Sequence, residues 1–340
     1  MNVYFLQFFI QSTVKIKSTS SSGWRSCNAP CCIYNNETKD TRGRGGFLFE
    51  ADGGTIFHCF NCSYSTNWLP GRPLSTRFKN LLKWFGTPQD KIEVLQFEAL
   101  DLKVNGDYES EFRFTNALPI EFPLGELPPK AKPFSKLANE SISDNNFMDV
   151  LTYGYDRNIN LQKYDLMWTP NTEKGFNRKI IVPFYYKEKL VGYSARSIDE
   201  KKFNNQMPAG YVYNIDSQKD RRRKNVIVCE GLFDAMTIDA VAVLHNRIGS
   251  IQAGLIESLN RDIIVVPDFD YSGVSLMNDA LENGWPVSFP VWANDFKDIN
   301  DAVKELGKIF VLENIFSSVI TNPIKIQLLA KKFMKKGNKK

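Results

Sequence analysis

Acidic side chains follow two apolar segments in the second half of the chain, at the point where each segment ends. Glu230 comes directly after Val226–Cys229, while Asp268 and Asp270 come just after IIVVP. Runs of β-branched residues of this length are typical of buried strands. Carboxylates that gather where strands end bind divalent metal ions, and a metal ion in such a position usually acts on phosphate.

Helix capping is the alternative explanation for an acid after a strand, because such a carboxylate commonly accepts a hydrogen bond from the next helix. Capping explains one acid, but three acids on two strands repel one another unless a cation neutralises them. Gly231 and Gly273 flank the acids and leave room for a phosphate or a metal ion. Another acid, Asp298 in KDINDA, follows the apolar segment VSFPVW. We therefore predict a divalent metal site at these acids, with Asp298 as a further candidate ligand.

Five of the six cysteines lie within the first 62 residues. Secreted disulfide scaffolds spread their cysteines through a short chain, so this cluster instead indicates zinc in a reducing compartment. Cys59-x-x-Cys62 places two thiolates on one tight turn, at a spacing suited to tetrahedral zinc. We predict one structural zinc ion in this part of the chain.

The first zinc knuckle is open to two interpretations. Cys27 is followed by the adjacent pair Cys31 and Cys32, which allows a Cys-x3-Cys or a Cys-x4-Cys spacing. Because two adjacent cysteines on one ion are strained, we expect one of the first three cysteines, a member of the adjacent pair, to be a spectator. His58 is a substitute ligand, although next to Cys59 we expect it on the opposite face of its strand.

Basic residues precede the first acidic strand. Arg178, Arg196 and Lys202 lie in or beside an apparent hairpin formed by KIIVPFYY and KLVGYSARS. Such side chains are often only solvated, but next to a metal centre they are typical of a phosphate clamp. Arg42 and Arg44, in a glycine-rich loop between the two cysteine groups, are candidates for contact with a nucleic-acid backbone.

The elements that must position the acids alternate between strand and helix. This order over short connections predicts a doubly wound parallel sheet, in which ligands lie at the carboxyl ends of the strands. The predicted strands are Asn225–Cys229, Val241–His245, Asp262–Val266 and Val287–Trp292, and the predicted helices are Leu232–Ala240, Leu255–Asn260, Ser272–Asn283 and Ile299–Leu306.

The 340 residues are enough for two or three modules, and a net charge of +5 permits a nucleic-acid partner without requiring one. The opening MNVYFLQFFI is too short to span a bilayer and lacks the features of a signal peptide, so we expect a short helix packed on the zinc module and no membrane association. We divide the chain into a β-rich zinc module (1–70), a helical and proline-rich linker region (71–145), a catalytic core (146–305) and a helical, lysine-rich tail (306–340).

The motifs resemble those of bacteriophage DNA primases of the zinc-ribbon plus Toprim type, similar to the primases of T-even-like phages. The resemblance covers about residues 23–70 and 176–305, and it departs from the family at the first cysteine knuckle, where Cys-x2-Cys is usual. It implies an α/β fold with a Toprim-type parallel sheet, at about 225–305, that carries helices on both faces within a primase polymerase domain. A small β-rich zinc ribbon at the N-terminus completes the expected architecture.

The resemblance implies a DNA-directed RNA polymerase that makes short RNA primers on single-stranded DNA during phage DNA replication. Glu230, Asp268 and Asp270 are then catalytic residues that bind Mg²⁺ or Mn²⁺, and Glu230 also assists proton transfer. Arg178, Arg196 and Lys202 are expected to hold template or nucleotide phosphates. The implied substrates are ribonucleoside triphosphates.

The resemblance also implies a partner and a location. The sequence contains no G-x-x-x-x-G-K-[ST] motif, so we expect a separate replicative helicase at the replication fork in the host cytoplasm. Two other readings of the acidic motifs are a Toprim-family nuclease and a RecR-like, non-enzymatic DNA-binding clamp. A nuclease does not need nucleoside triphosphates, and a clamp does not account for the basic hairpin.

Overall fold

The computed structural model describes residues 2–105, 118–137, 143–219 and 223–337. These residues form a mixed α/β structure with three five-stranded sheets. One apolar core surrounds the cysteines, and a larger one joins the second and third sheets. None of the helices in the described ranges has both the length and the apolar character needed to cross a bilayer.

The first sheet is antiparallel and carries the cysteines. Its strands follow chain order and are β1 (Ser18–Thr19), β2 (Arg25–Cys27), β3 (Gly45–Phe49), β4 (Thr55–Cys59) and β5 (Ser65–Trp68). Three helices share its core: α1 (Phe5–Thr13), α2 (Thr76–Trp84) and α3 (Gln89–Asn105). The opening apolar segment is therefore a helix packed on this module, as the sequence predicts. The segment predicted as a linker contributes α2 and α3 to the same core.

The second sheet is built around the basic hairpin, which forms where the sequence predicts it. Its spatial order is β10 (Phe203–Gln206), β9 (Lys189–Ser197), β8 (Lys179–Tyr186), β7 (Met167–Trp168) and β6 (Lys132–Pro133). Lys187 and Glu188 make the tight turn between β8 and β9 with positive φ angles. Proline cannot donate to a strand ladder, so Lys132–Pro133 lies at the sheet edge. Two helices precede the hairpin, α4 (Phe134–Leu137) and α5 (Asn145–Asp156).

The third sheet brings the acidic segments together. Its order is β12 (Val241–Ala242), β11 (Asn225–Cys229), β13 (Asp262–Val265), β14 (Val287–Ser288) and β15 (Val319–Ile320). The pairs from β12 to β14 are parallel, and β15 is antiparallel at the edge. The helices in this part of the chain are α6 (Leu232–Ile238), α7 (Ser250–Glu257), α8 (Val274–Asn283), α9 (Ile299–Leu306), α10 (Lys308–Ser317) and α11 (Pro323–Gly337).

Several predicted element bounds differ from those observed, and for α7, β12 and β14 the reason is local. Helix α7 begins earlier than predicted because the Gln252 side chain accepts from the Gly249 N–H at 3.0 Å and caps its first turn. It ends earlier because Asn260 takes a positive φ of 52°. Strand β12 is short because Leu244 has a φ of 63°, and β14 is short because a 3₁₀ turn begins at Val291.

A buried polar joint connects the cysteine-bearing module to the third sheet. Arg77 on α2 donates to the Asn283 side chain at 3.1 Å and to the Ser65 carbonyl at 3.1 Å. Its Nε lies 3.8 Å from the carboxylate of Glu257 on α7, which also accepts from Thr66 at 3.1 Å. Burial raises the pKa of Glu257 to about 7, and the nearby Arg77 and Thr66 offset this only in part.

Glu257→Gln tests this joint. The folded chain holds the Glu257 proton up to about pH 7, whereas an unfolded glutamate loses it near its ordinary value, about pH 4. The free energy of unfolding contributed by this group therefore falls as pH rises across that window. We expect the variant to gain up to about 3 kcal/mol relative to wild type between pH 4 and 7.5.

Urea denaturation at a series of pH values measures the difference between the two curves. The exposed Glu98→Gln is the matched control and is expected to leave the wild-type pH dependence unchanged. Curves for wild type and Glu257→Gln that run parallel across the window would show that Glu257 is ionised normally in the folded chain.

Candidate metal centre and acidic sheet edge

Four cysteines from three local elements meet at one point. A 3₁₀ turn (Pro30–Tyr34) carries Cys31 and Cys32, Cys59 ends β4, and Cys62 follows in the next turn. The sulfurs of Cys31 and Cys62 are 3.5 Å apart, and those of Cys32 and Cys59 are 3.6 Å apart. All four sulfurs lie within 4.8 Å of one another. Four convergent thiols fit one tetrahedral zinc ion.

The expectation about the first knuckle was wrong in its choice of spectator. Both members of the adjacent pair join the cluster, and Cys27 on β2 stays outside it. A 3₁₀ turn rotates consecutive residues by about a third of a turn, so Cys31 and Cys32 meet different partners without strain. His58 also stays outside the cluster, because its ring nitrogen pairs with the Ser65 hydroxyl at 2.7 Å.

The four clustered thiols interact with one another, and their pKa values shift in different directions. Hydrogen bonds, first from Cys31 and then from Cys62, lower the pKa of the Cys59 thiol. Asn61 donates its side-chain N–H to the Cys32 sulfur at 3.4 Å, but burial outweighs this hydrogen bond and raises the pKa of Cys32. A hydrogen bond with Cys59 raises the pKa of Cys31, and burial raises the pKa of the excluded Cys27 to about 12. Zinc binding releases the thiol protons, so the four convergent cysteines could hold one zinc ion, whereas Cys27 lies outside the cluster.

The acidic edge forms where β11 and β13 end. Residues Val228 and Val265 are paired in parallel register, so the chain leaves both strands at the same edge of the sheet. Glu230 Oε1 accepts from the Asp268 N–H at 3.2 Å. Asp270 accepts from the Ser272 N–H at 2.8 Å. The parallel register therefore brings the three predicted acids into one neighbourhood.

Gly273 allows this close approach, and Gly231 lies against a neighbouring acid, Asp234. A Cβ on Gly273 would lie 2.0 Å from the Asp268 carbonyl oxygen and 2.9 Å from Glu230 Oε1. A Cβ on Gly231 would lie 2.0 Å from the carboxylate of Asp234. The Asp268 carbonyl belongs to the backbone and cannot move aside, so position 273 requires glycine, whereas at position 231 the contact is with the end of the Asp234 side chain.

Crowding changes how the acids ionise. Burial, followed by the nearby Asp268, raises the pKa of Glu230 to about 8. Burial also raises the pKa of Asp268 to about 6. Burial opposes ionisation of Asp270 as well, but hydrogen bonds from Ser272 and Lys297 outweigh it and lower its pKa. This edge is therefore a place where added positive charge is favourable.

Lys297 supplies positive charge at the edge. Its ammonium lies 3.3 Å from Asp268 Oδ2 and 2.9 Å from Asp270 Oδ2. The Lys297 carbonyl accepts from the Phe269 N–H at 2.8 Å, which fixes the lysine backbone beside the two aspartates. Sequence reasoning missed this residue, although its position directly before Asp298 in KDINDA was an available signal.

Two further acids have structural partners. Asp298 caps α9 by accepting from the Asp301 N–H at 2.9 Å, and burial raises its pKa. The buried Asp234 accepts from the Asn300 N–H at 2.7 Å.

Among the described residues, only the cysteine cluster brings three or more ligand atoms within 4.8 Å of one another. The acids of the sheet edge lie together less tightly than that.

The three predicted basic residues have different surroundings. Arg178 forms ion pairs with Asp149 and Asp199 on the surface, and Lys202 pairs with Glu200. Arg196 has its guanidinium 5.7 Å from the centre of the Phe233 ring, on the helix that follows Glu230. Of these three, Arg196 is the one that contacts α6.

Arg157 is a second basic residue that sequence reasoning missed. Its guanidinium lies 5.1 Å from the Phe233 ring centre and 5.0 Å from that of Tyr153. It also donates to the Asn300 side chain at 3.0 Å. Nothing in the sequence near Arg157 signals this position, because the residue is far along the chain from the acidic segments.

Comparison with known proteins gives little beyond this geometry. No protein-family model matches the chain, and no curated protein matches its sequence. Among solved structures, the primase fragment of the bacteriophage T7 primase-helicase protein is similar over 81% of this chain and 95% of that chain. The identity is 13% and the TM-score 0.33, and a likeness this distant carries no argument about function.

The cysteine geometry predicts which substitutions release zinc. Cys31→Ser, Cys32→Ser and Cys59→Ser each remove a sulfur from the cluster, so each variant is expected to lose most of the bound zinc. Cys27→Ser is the matched control and is expected to keep one zinc ion per chain. Elemental analysis of the purified proteins, with chelator-driven zinc release, measures both. Zinc loss from Cys27→Ser with retention in Cys32→Ser would contradict the observed ligand set.

Proposed function

We propose that the chain is a DNA primase of the zinc-ribbon plus Toprim type from a bacteriophage. The observation that carries the proposal is the convergence of Glu230, Asp268 and Asp270 at the carboxyl edge of a parallel sheet. The attached four-cysteine module and the basic hairpin are the other two parts expected of such an enzyme. The reaction joins ribonucleotides on a single-stranded DNA template and releases pyrophosphate.

The acidic residues hold the reaction centre. Asp268 and Asp270 bind Mg²⁺ or Mn²⁺, with Glu230 beside them, and such an ion stabilises charge on the attacking and leaving oxygens. Asp298 is placed to cap α9, so we assign it a supporting role. Glu230 accepts from the Asp268 N–H and lies beside the two aspartates, so we assign it to take the proton of the attacking 3′-hydroxyl.

Basic and aromatic side chains beside the edge position the nucleotide. Arg157 and Arg196 stack on Phe233, and we assign both to the triphosphate. Arg178 and Lys202 lie at the surface with acidic partners. They reach template phosphates by exchanging those partners, as exposed ion pairs readily do.

The cysteine module presents a surface for template bases. A cleft of 420 Å³ lies between β1, β2 and the Gly45–Gly46 segment, and it is lined by serines together with Trp24 and Phe60. The rings of Trp24 and Phe60 are 5.7 Å apart, and Phe60 is 55% exposed. Exposed aromatic rings stack on unpaired bases, and hydroxyls hydrogen-bond their edges.

The loop beside this cleft carries two arginines with different roles. Arg44 is held by Asp40 and Asn61, so it shapes the loop, while the exposed Arg42 is free to meet the backbone of the template.

A separate replicative helicase at the fork, in the host cytoplasm, is the proposed partner.

Primer synthesis is the test of this proposal. Zinc-loaded protein is incubated with single-stranded DNA, Mg²⁺ and labelled ribonucleoside triphosphates, with and without a replicative helicase. We expect short RNA products from wild type. The Asp268→Asn, Asp270→Asn double variant is expected to lose at least about a hundredfold in rate, because several kcal/mol of transition-state stabilisation is removed.

The control is Asp90→Asn, an exposed acid on α3, which is expected to keep wild-type activity. Retained zinc content and circular dichroism show that the double variant is folded. Cutting of the template in place of RNA synthesis indicates a Toprim-family nuclease, and DNA binding with neither product indicates a RecR-like clamp.

A further inference from the structure

Lys297 contacts the two carboxylates that the proposed function assigns to a metal ion. Its ammonium is 3.3 Å from Asp268 Oδ2 and 2.9 Å from Asp270 Oδ2, so it bridges the two carboxylates. Asp268 and Asp270 repel each other when both are ionised, and the bridge offsets this repulsion. The lysine therefore acts as a counter-cation of the edge.

Asp270 Oδ1 already accepts from the backbone N–H groups of Ser272 and Gly273, so an ammonium and a divalent cation compete for Asp270 Oδ2. Each is attracted to the same lone pairs, and the two cations repel strongly at the separations that such sharing requires. A divalent ion carries twice the charge and gains more from two carboxylates. A metal ion bound at the Oδ2 atoms of Asp268 and Asp270 therefore displaces the Lys297 ammonium.

The structure leaves Lys297 free to move its side chain while its backbone stays in place. The Lys297 carbonyl is fixed by the Phe269 N–H at 2.8 Å, whereas the side chain is 43% exposed to solvent. Arg196 differs, because its guanidinium is stacked on Phe203 and Phe233 and donates to the Tyr153 hydroxyl. Of Lys297 and Arg196, Lys297 is therefore the residue whose side chain can exchange one partner for another.

We propose that Lys297 is an exchangeable counter-cation: it holds Asp268 and Asp270 until a divalent ion displaces it, and it then binds the phosphates of the incoming nucleoside triphosphate. This inference rests on the proposed function and adds an order of events to it. A lysine ammonium is a mobile point charge suited to phosphate oxygens. The released charge stays beside the edge, where the nucleotide brings its own negative charge.

The proposal makes two opposite predictions for Lys297→Met. Removing the competing ammonium should tighten Mn²⁺ binding in the absence of nucleotide by about two- to fivefold. This factor corresponds to the free energy of a partly exposed ion pair. Removing the phosphate contact should weaken binding of inorganic tripolyphosphate in saturating Mn²⁺ by about tenfold or more. A residue with only a structural role would not move these two affinities in opposite directions.

Both affinities are measured on the zinc-loaded full chain by electron paramagnetic resonance and by titration calorimetry. Lys304→Met, an exposed lysine on α9, is the matched control and is expected to leave both unchanged. Unchanged or weaker Mn²⁺ binding by Lys297→Met would overturn the exchange, and unchanged tripolyphosphate binding would overturn the phosphate contact. The Asp268→Asn, Asp270→Asn double variant shows whether Mn²⁺ binds at this edge. If wild type and this variant bind Mn²⁺ equally, or neither binds it, the proposed function fails, and the role of Lys297 fails with it.

Discussion

The parallel pairing of β11 with β13 is the constraint on which the rest of the site depends. Because Val228 pairs with Val265, strands β11 and β13 end at the same edge of the sheet. The acids that follow the two strands must therefore share a small volume. Their burial and mutual repulsion raise the pKa of Glu230 and Asp268. Positive charge is then needed at that edge, and Lys297 provides it from the segment that precedes α9.

The cysteine module is attached to this sheet through polar groups that are themselves buried. Arg77 and Glu257 lie where α2 and β5 meet α7 and α8. A buried polar joint requires partners in specific positions, so it holds a defined arrangement better than an apolar contact of the same size. In the proposed function, a defined arrangement allows the cysteine module and the acidic edge to act on one template strand.

Sequence reasoning works best where chemistry and local structure coincide. The apolar segments before Glu230 and Asp268 predict β11 and β13, and the bounds of α9 are predicted correctly, because each pattern is local. The adjacent pair Cys31 and Cys32 was misjudged because a 3₁₀ turn, which composition does not reveal, separates their sulfurs. Contacts across the fold were missed for a different reason: Arg157 reaches Phe233 only through tertiary packing, which no spacing in the sequence encodes.

A crystal structure with Mn²⁺ and a non-hydrolysable ribonucleoside triphosphate tests the central claim most directly, because the anomalous scattering of manganese locates the ion. The account predicts a manganese peak in contact with the carboxylates of Asp268 and Asp270, with the triphosphate beside it. A manganese peak and triphosphate bound elsewhere on the chain, with the two aspartates contacting neither, would contradict the assignment of this edge as the reaction centre.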